Sequence, residues 1–293
     1  MARRRTDPGI DGVAVIDKPA GWTSHDVVAK SRGIIGTRKI GHSGTLDPDA
    51  TGVLVLGVGK ATRLLRFMTE LPKSYVGEIV FGVETNTLDA SGEVTAVHEM
   101  SDVSDADVRQ AALGLTGPIM QIPPMVSAVK IGGRRLHELA REGKEIDRPP
   151  RPVTIHRFDL DPLADHPGIW RCEVDCSSGT YIRTLAADLG TALGGGAHLR
   201  NLRRTAVGGF SLADAHPMET PELLPIESAV RHLGSVTVAD EVAIEVGHGR
   251  VLPLERLGAS GAGPWAVLNS SRELLAVYEA NPRGAKPTLV IPR

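Results

Sequence analysis

Residues 41–58 read GHSGTLDPDATGVLVLGV, a glycine-rich loop that runs into an apolar segment. The segment 53–58 is rich in β-branched residues and bounded by glycines, which is typical of a strand buried on both faces. Loops at the ends of rigid strands commonly carry reactive groups, and here Pro48 fixes the turn beyond Asp47. The stretch therefore predicts a buried strand whose preceding loop presents Asp47 to a ligand. A tight turn capped by aspartates is the alternative that these residues alone leave open.

Periodic apolar residues predict further elements on both sides of this strand. Strands are predicted at residues 12–16, 74–83, 153–158 and 169–176. Helices are predicted at residues 24–31 with Ser24 as the N-cap, at 62–68, 105–115 and 181–193, and as a basic helix after Gly132 and Gly133. Because the strands do not alternate strictly with helices, the pattern indicates the α+β class rather than a parallel βαβ fold.

The chain changes character near residue 236. Beyond it, short β-like runs at residues 265–268, 274–278 and 288–291 are separated by Gly, Pro and Ser turns. A chain of 293 residues is also near the size at which one core divides into two. We therefore predict two domains, residues 1–235 and a small all-β domain at residues 236–293.

Composition narrows the classes of function. With 41% hydrophobic and 23% charged residues the chain is expected to fold, and its formal net charge is only −2. Non-specific binding of nucleic acid depends mainly on neutralising phosphates, so an RNA partner would have to meet a local basic patch. No apolar run approaches the roughly 18 residues of a membrane span, and the first residues lack a secretory signal, which predicts a cytoplasmic protein.

The two cysteines, Cys172 and Cys176, lie on one face of a predicted strand. Four strand steps place them about 13 Å apart, beyond the roughly 7 Å that a disulfide spans between Cα atoms. We expect two buried thiols, with neither a disulfide nor a metal site.

The glycines at residues 57 and 59 do not belong to either of two common nucleotide-binding motifs. A phosphate-binding loop would need Ser or Thr in place of Ala61 and a glycine in place of Leu54. A dinucleotide fingerprint fails because Thr62 stands where its third glycine should be. A carbohydrate hydrolase that uses Asp47 and Asp49 stays open, since their spacing does not establish whether the two carboxylates converge.

A second segment, residues 176–184, is predicted to turn from a strand into a helix, with Arg183 in the first helical turn. A cation is unfavourable there because of the helix dipole, so Arg183 needs a compensating anion. A carboxylate paired with Arg183 is expected to have a lowered pKa and to stay ionised. The alternative is a solvated surface arginine.

A third segment, residues 196–205, crowds Arg200, Arg203 and Arg204 beside apolar residues. This cluster is the local basic patch that an RNA partner requires. A solvated charged face is the alternative.

These three segments, in this order, resemble the TruB family of bacterial tRNA pseudouridine synthases, and the resemblance covers nearly the whole chain. It rests on DKPAGWTS at residues 17–24, the aspartate loop at 41–52, KSY at 73–75, TNTLD at 85–89, QIPP at 121–124 and GTYIR at 179–183. The resemblance implies a pseudouridine synthase fold, which is a mixed, mainly antiparallel sheet with flanking helices. A small C-terminal all-β domain of the PUA type would follow, in agreement with the division at residue 236.

The resemblance also implies a cofactor-free isomerase that converts uridine 55 in the TΨC arm of tRNA into pseudouridine. Asp47 would be the catalytic carboxylate, Arg183 its ion-pair partner, and Tyr75 the ring that packs on the base and helps to move a proton. The uridine pocket would be lined by His42, Tyr181 and Leu202. Whether Asp47 adds to the sugar or removes a proton to give a glycal is left open.

The target base would have to leave its stack, at a cost of a few kcal/mol. Stacking on Tyr75 would return roughly 1–3 kcal/mol. Phosphates would be held by basic residues around the loop, namely Lys18, Lys39, Lys60, Arg200, Arg203 and Arg204. The expected partner is the T stem-loop of tRNA, with no metal, no obligate protein partner and a monomeric state.

Two positions depart from the family pattern. Val126 stands where an aromatic residue is common, and His137 stands where a tyrosine is frequent. Both lie in a segment expected to contact RNA, so they bear on its local geometry and not on the chemistry.

Two rival functions use the same surface. An RNA-binding or RNA-folding module would not turn over, but a carboxylate facing RNA repels phosphate and has no use in such a module, which favours the enzyme. Accessory tRNA folding is compatible with both. A guide-RNA-dependent synthase of the same superfamily is disfavoured because no lysine-rich tail or extension for partner proteins is visible.

Overall fold

The computed structural model describes residues 9–127, 130–131, 134–135, 142 and 146–292. Its strands, in chain order, are β1 (Gly12–Lys18), β2 (Ile40–His42), β3 (Thr51–Val58), β4 (Lys73–Phe81), β5 (Val83–Thr85), β6 (Val94–Val97), β7 (Gly117–Gln121), β8 (Lys130–Ile131), β9 (Arg134–Arg135), β10 (Arg151–Pro162), β11 (Ile169–Cys176), β12 (Ala197–Val207), β13 (Phe210–Ser211), β14 (His216–Pro217), β15 (Leu223–Leu224), β16 (Gly234–Thr237), β17 (Trp265–Leu268), β18 (Leu274–Asn281) and β19 (Gly284–Val290). The α-helices are α1 (Ser24–Ile35), α2 (Leu65–Thr69), α3 (Asp105–Gly114), α4 (Ile182–Ala192), α5 (Asp240–Gly247) and α6 (Leu254–Leu257).

One mixed sheet organises the larger part of the described chain. Its strands follow the order β14-β1-β3-β12-β4-β11-β10-β7, with β2, β13 and β15 at the margins. Within it, β1–β14 and β3–β12 pair in parallel, and the other neighbours, such as β4 and β11, are antiparallel. The predicted α+β class with a mixed, mainly antiparallel sheet is confirmed.

Strand β3 is covered on both faces. Leu54 and Leu56 belong to a buried cluster with α1, whereas Val53 and Val55 belong to another cluster that includes Leu268 of β17. Burial on both faces explains why the segment has no apolar–polar alternation. Each fully buried Val or Leu contributes roughly 1.5–3 kcal/mol, so β3 is a firm anchor for the loop before it.

The remaining predicted elements occur with shifted bounds. Strands β1, β4, β10 and β11 and helices α3 and α4 match their predictions. The helix predicted at residues 62–68 is a 3-10 turn, Gly59–Leu64, followed by α2. Arg134–Arg135 form a short strand where the sequence predicts a basic helix; most of that helix, and His137, lie outside the described residues.

Helix α1 begins at a different cap from the predicted one. The Thr23 hydroxyl accepts the Asp26 N–H at 3.1 Å, and the Asp26 carboxylate accepts the Thr23 N–H at 3.0 Å. Thr23, and not Ser24, is therefore the N-cap of a reciprocal capping box. The buried Ser24 hydroxyl instead accepts the Leu46 N–H at 2.9 Å, which ties α1 to the loop that carries Asp47.

Helix α4 packs on the main sheet. Leu185 and Leu189 are buried in one cluster with Ile79 of β4 and with Cys172 and Val174 of β11. This packing fixes the start of α4, and with it Arg183, relative to the sheet. Both cysteines are buried and free, as predicted.

The C-terminal part forms a second sheet in the order β16-β17-β18-β19. The short β-runs predicted there are present, whereas the sequence reading missed α5. The small sheet packs on the larger one, because Val53 and Val55 of β3 share a buried cluster with Leu268 of β17. Arg63 and Arg66, in the 3-10 turn and α2, also donate to the carbonyls of Val290 at 2.7 Å and Thr288 at 2.6 Å. The domain boundary at residue 236 stays a prediction. In the described residues, no helix combines the length and apolarity that crossing a membrane requires.

Candidate active site

A buried lysine fixes the turn after Asp47. Lys18, at the end of β1, is fully buried, and its ammonium donates to the carbonyl oxygens of Pro19 at 2.9 Å, Trp22 at 2.6 Å and Pro48 at 2.8 Å. Burial lowers the pKa of Lys18 to about 8. Its three N–H groups are committed to backbone, so this geometry does not favour the predicted RNA contact of Lys18, which stays a prediction.

Arg204, on β12, holds the other side of the loop. The side chain is 1% exposed and donates to the carbonyl oxygens of Val53 at 2.7 Å, Gly44 at 3.2 Å and Thr45 at 3.4 Å. The predicted phosphate contact of Arg204 likewise stays a prediction, which burial of its guanidinium against backbone does not favour. Gly52 lies against this arginine with φ +98°, and a Cβ there would be 2.1 Å from the Arg204 carbonyl oxygen, so only glycine fits.

The Asp47 carboxylate is paired with Arg183 through two contacts. Arg183 Nη2 donates to Oδ1 at 3.1 Å, and Nε lies 3.0 Å from Oδ2. The side chain of Arg183 is 5% exposed, whereas that of Asp47 is 41% exposed. The anion predicted for Arg183 is therefore present, and the bidentate geometry orients the carboxylate while leaving it open to a ligand.

The rest of the Arg183 guanidinium is also occupied. It donates to the carbonyl oxygens of Thr87 at 3.0 Å and Val126 at 2.8 Å, and Nη1 lies 3.3 Å from Asp89 Oδ2. Val126 takes part through its backbone, so the departure from the family pattern at this position does not remove the contact. Asp89 is a site residue that the sequence reading missed, although it belongs to the TNTLD motif.

Burial raises the pKa of the Asp47 carboxyl above that of a free aspartate. The Arg183 guanidinium pulls this pKa down and the Asp89 carboxylate pushes it up. The prediction of a lowered pKa is therefore wrong in direction, because it counted the ion pair and not the loss of solvation. Asp47 lines a concave cavity, so protein surrounds the carboxylate even where its surface stays accessible.

Asp47 and Arg183 line a cavity of about 390 Å³ together with Tyr75, Tyr181 and Leu202. The structure thus brings five of the six predicted catalytic and uridine-binding residues to one place. Tyr75 is 8% exposed, and burial raises the pKa of its phenol. The hydroxyl therefore keeps its proton at neutral pH and can donate it.

Gln121 fixes the backbone of Tyr181 at the start of α4. The Gln121 side chain donates to the Tyr181 carbonyl at 3.0 Å and accepts the Tyr181 N–H at 2.7 Å. Gln121 is 1% exposed. The sequence reading noted the QIPP motif but assigned Gln121 no role, because nothing local indicates a partner 60 residues away.

His42 is the sixth predicted residue, and it does not line this cavity, whose wall along the loop begins at Ser43. Its ring meets that of His25 edge-on at 5.5 Å between centroids. Burial lowers the pKa of His42, so its ring is neutral at pH 7, and its Nδ1 is buried with no hydrogen-bond partner in the described part of the chain. A role in uridine binding stays a prediction.

The other predicted phosphate contacts are at the surface, and most of them face acids. Arg200 Nε lies 2.6 Å from Glu78, Arg203 Nη2 lies 2.7 Å from Asp17, and Lys60 Nζ lies 3.4 Å from Asp11. These three side chains are 31–37% exposed, and Lys39 is exposed. They remain accessible to RNA, and their role stays a prediction. Over the residues that the structure describes, no cluster of His, Cys, Asp and Glu could hold a metal ion.

Comparison with known proteins identifies relatives along most of the chain. A family model described as TruB family pseudouridylate synthase (N terminal domain) matches residues 32–182, and one described as tRNA pseudouridylate synthase B C-terminal domain matches residues 183–231. The tRNA pseudouridine synthase B of Geobacillus thermodenitrificans is 41% identical over 299 residues, which cover 97% of this chain and 98% of the relative. That of Paenarthrobacter aurescens is 44% identical over 300 residues, covering 96% and 95%.

A solved structure supports the fold. A chain of a Cbf5-Nop10-Gar1 complex matches 95% of this chain and 83% of its own length, with a TM-score of 0.73 and 26% identity. The predicted pseudouridine synthase fold is thus confirmed. With the matched family models and relatives that align along nearly its full length, the chain belongs to the TruB family of pseudouridylate synthases.

Proposed function

We propose that this protein isomerises uridine 55 in the T arm of tRNA to pseudouridine, with Asp47 as the reactive carboxylate and without a cofactor. Relatives named tRNA pseudouridine synthase B align over nearly the whole chain, which supports the reaction and the tRNA substrate. One observation supports the choice of residues above the others. Asp47 is held by the buried Arg183 on the wall of a cavity that Tyr75 and Tyr181 share.

The chemistry requires few groups. The N1–C1′ bond of the uridine breaks, the base turns, and C5 bonds to C1′, so that nothing is oxidised or transferred elsewhere. Asp47 in its ionised form either adds to the sugar or removes a proton from it. Arg183 orients the carboxylate and opposes its protonation, while the protonated Tyr75 offers an aromatic face to the flipped base and a proton to move.

The wider RNA surface is also part of the proposal. Lys39, Lys60, Arg200 and Arg203 are accessible cations that would contact phosphates of the T stem-loop. Residues 236–293 would form a PUA-like RNA-binding domain, supported by the four-stranded sheet in this region. We further propose that the protein acts in the cytoplasm, since tRNA is the substrate, and that it acts as a monomer.

The test is conversion of an unmodified tRNA transcript without any added cofactor, with pseudouridine mapped by carbodiimide chemistry. Modification at position 55 alone is expected, and Asp47→Ala should abolish it. Asp49→Ala is the matched control, because Asp49 lies in the same loop, is exposed and does not line the cavity with Tyr75. Tight tRNA binding without any product from the unaltered protein would leave only the RNA-binding or RNA-folding module.

A further inference from the structure

The departing base in the proposed reaction is an anion. When the N1–C1′ bond breaks, its electron pair stays with the uracil ring, and the negative charge spreads over N1, O2 and O4. Later the ring bonds to C1′ through C5, C5 loses its proton and N1 gains one, so atoms and electrons balance. Charge that develops in a cavity is stabilised best by donors that are already in place. Asp47 carries the wrong charge for this task.

Among the residues that the structure describes, three cations line the cavity, and two of them are held in place by other groups. Arg183 holds Asp47, Asp89 and two backbone carbonyls. Arg204 holds three carbonyls of the loop and of β3. Neither guanidinium can turn to the base without releasing the carboxylate or the loop that carries it.

Lys73 is the third cation, and its two hydrogen bonds leave one of its three N–H groups without an acceptor among the described residues. It lies two positions before Tyr75 on β4, so both side chains point to the same face of the strand. Its side chain is 7% exposed, and its ammonium donates to the carbonyl oxygens of Thr69 at 2.8 Å and Leu71 at 2.6 Å. An ammonium has three N–H groups, and within the described residues these two carbonyls are its acceptors.

The loop opposite Lys73 leaves room at this point. A Cβ on Gly44 would lie 3.6 Å from Lys73 Cε and 3.7 Å from Arg204 Nη1. With glycine there, the space between the two cations stays open and forms part of the cavity that contains Asp47 and Tyr75.

We propose that Lys73 is a further catalytic residue, which donates its remaining N–H to a carbonyl oxygen of the departing uracil and stabilises the anion. The proposal rests on the proposed function. Burial lowers the pKa of Lys73 to about 8, which leaves the ammonium protonated at neutral pH and makes it a stronger hydrogen-bond donor. No proton needs to be transferred in this step, because the hydrogen bond and the charge suffice.

The test changes the leaving group and the lysine together. Fluorine at C5 withdraws electrons and makes the uracil anion easier to form, so the reaction depends less on a stabilising cation. Synthetic T stem-loop RNA carries uridine or a single 5-fluorouridine at the target position. Only cleavage of the N1–C1′ bond is followed, in single turnover, because 5-fluorouridine carries fluorine in place of the C5 proton that the last step removes.

Lys73→Met is expected to slow cleavage about 100-fold with uridine but only about 10-fold with 5-fluorouridine. Lys73→Gln keeps an uncharged donor for the two carbonyls but removes the charge. It should show the same unequal loss in a protein whose thermal unfolding is close to that of the unaltered chain.

Lys18→Met is the matched control. Lys18 is also buried, its pKa is also lowered to about 8, and it also donates to backbone carbonyls, but it does not line the cavity. Its loss should slow both substrates by the same factor. An equal loss on both substrates for Lys73→Met and Lys73→Gln, or no loss, would overturn the proposal. If the unaltered protein converts neither substrate, the proposed function itself fails.

Discussion

The Asp47 loop and the outer basic surface both contain lysines and arginines, but these cations have different hydrogen-bond partners in the two regions. In the loop region, Lys18 and Arg204 are buried and donate to backbone carbonyls of residues 44–48 and their neighbours. At the surface, Arg200 and Arg203 are about one third exposed and face the carboxylates of Glu78 and Asp17.

This difference separates two uses of positive charge. A buried cation bonded to backbone fixes geometry, and removing it leaves carbonyls without partners. A surface cation paired with a carboxylate adds little stability but can exchange its partner for a phosphate. We therefore expect substitutions in the loop region to affect catalysis or folding, and substitutions at the surface to affect tRNA affinity and its dependence on salt.

Among substitutions of the basic residues in the two regions, the largest effect is expected for Arg183→Met. Removing one preorganised polar partner from an active site costs roughly 10²–10³-fold in rate, and we expect a loss of that size in the single-turnover rate. The Asp47 carboxylate would lose its orientation and would remain beside Asp89. Arg183→Lys, which keeps the charge but not the two-pronged contact, should retain more activity. Equal activity of Arg183→Met and the unaltered protein would break the distinction between the two regions.

A smaller effect, on stability, is expected for Lys18→Met. Three carbonyl oxygens lose their donor, at about 1–3 kcal/mol each, but the cost of burying a charge is relieved. We expect a net loss of roughly 2–4 kcal/mol in the free energy of unfolding, measured in urea. Lys39→Met is the control, because this exposed lysine should change stability by no more than about 0.5 kcal/mol. A loss as small for Lys18 as for Lys39 would contradict the anchoring role.

The same two regions mark the limits of prediction from sequence. The buried strand β3, the loop with Asp47 and the turn into α4 were predictable, because apolar runs, glycines and helix signals are local. The partners of Lys18 and Arg204 were not, since a basic residue in a loop motif reads as a phosphate contact until its burial is known. The predicted direction of the Asp47 pKa shift was wrong for the same reason, because the loss of solvation depends on packing by distant segments. Gln121 and Asp89 contact residues that are distant in sequence. Their motifs could therefore be recognised in the sequence, but their partners could not.

The pH dependence of the rate should be set by titration of Asp47 in the loop region and not by titration of surface carboxylates. Asp47 acts as a carboxylate, so the rate falls about ten-fold per pH unit below the Asp47 pKa. Because burial raises this pKa above that of free aspartate, the loss should set in at a higher pH than for a free carboxyl. The single-turnover rate is measured from pH 4 to 8. Asp17→Asn, which removes the surface partner of Arg203, should leave the acid limb in place, whereas Arg183→Lys should displace it.

The smallest effect is expected for Arg203→Ala. Arg203 bonds to Asp17 at 2.7 Å and is about one third exposed, so its loss should change the free energy of unfolding by less than about 1 kcal/mol. Affinity for tRNA should fall only a few-fold, but the slope of log affinity against log salt should become shallower by roughly 0.7–0.9 if one phosphate contact is lost. Binding titrations at several salt concentrations measure this slope for Arg203→Ala and Arg200→Ala. A slope that does not change would remove Arg203 from the RNA surface, and a stability loss like that of Lys18→Met would assign it to the scaffold of the loop. Either result would show that exposure and pairing with a carboxylate are not enough to identify Arg203 as an RNA-binding cation.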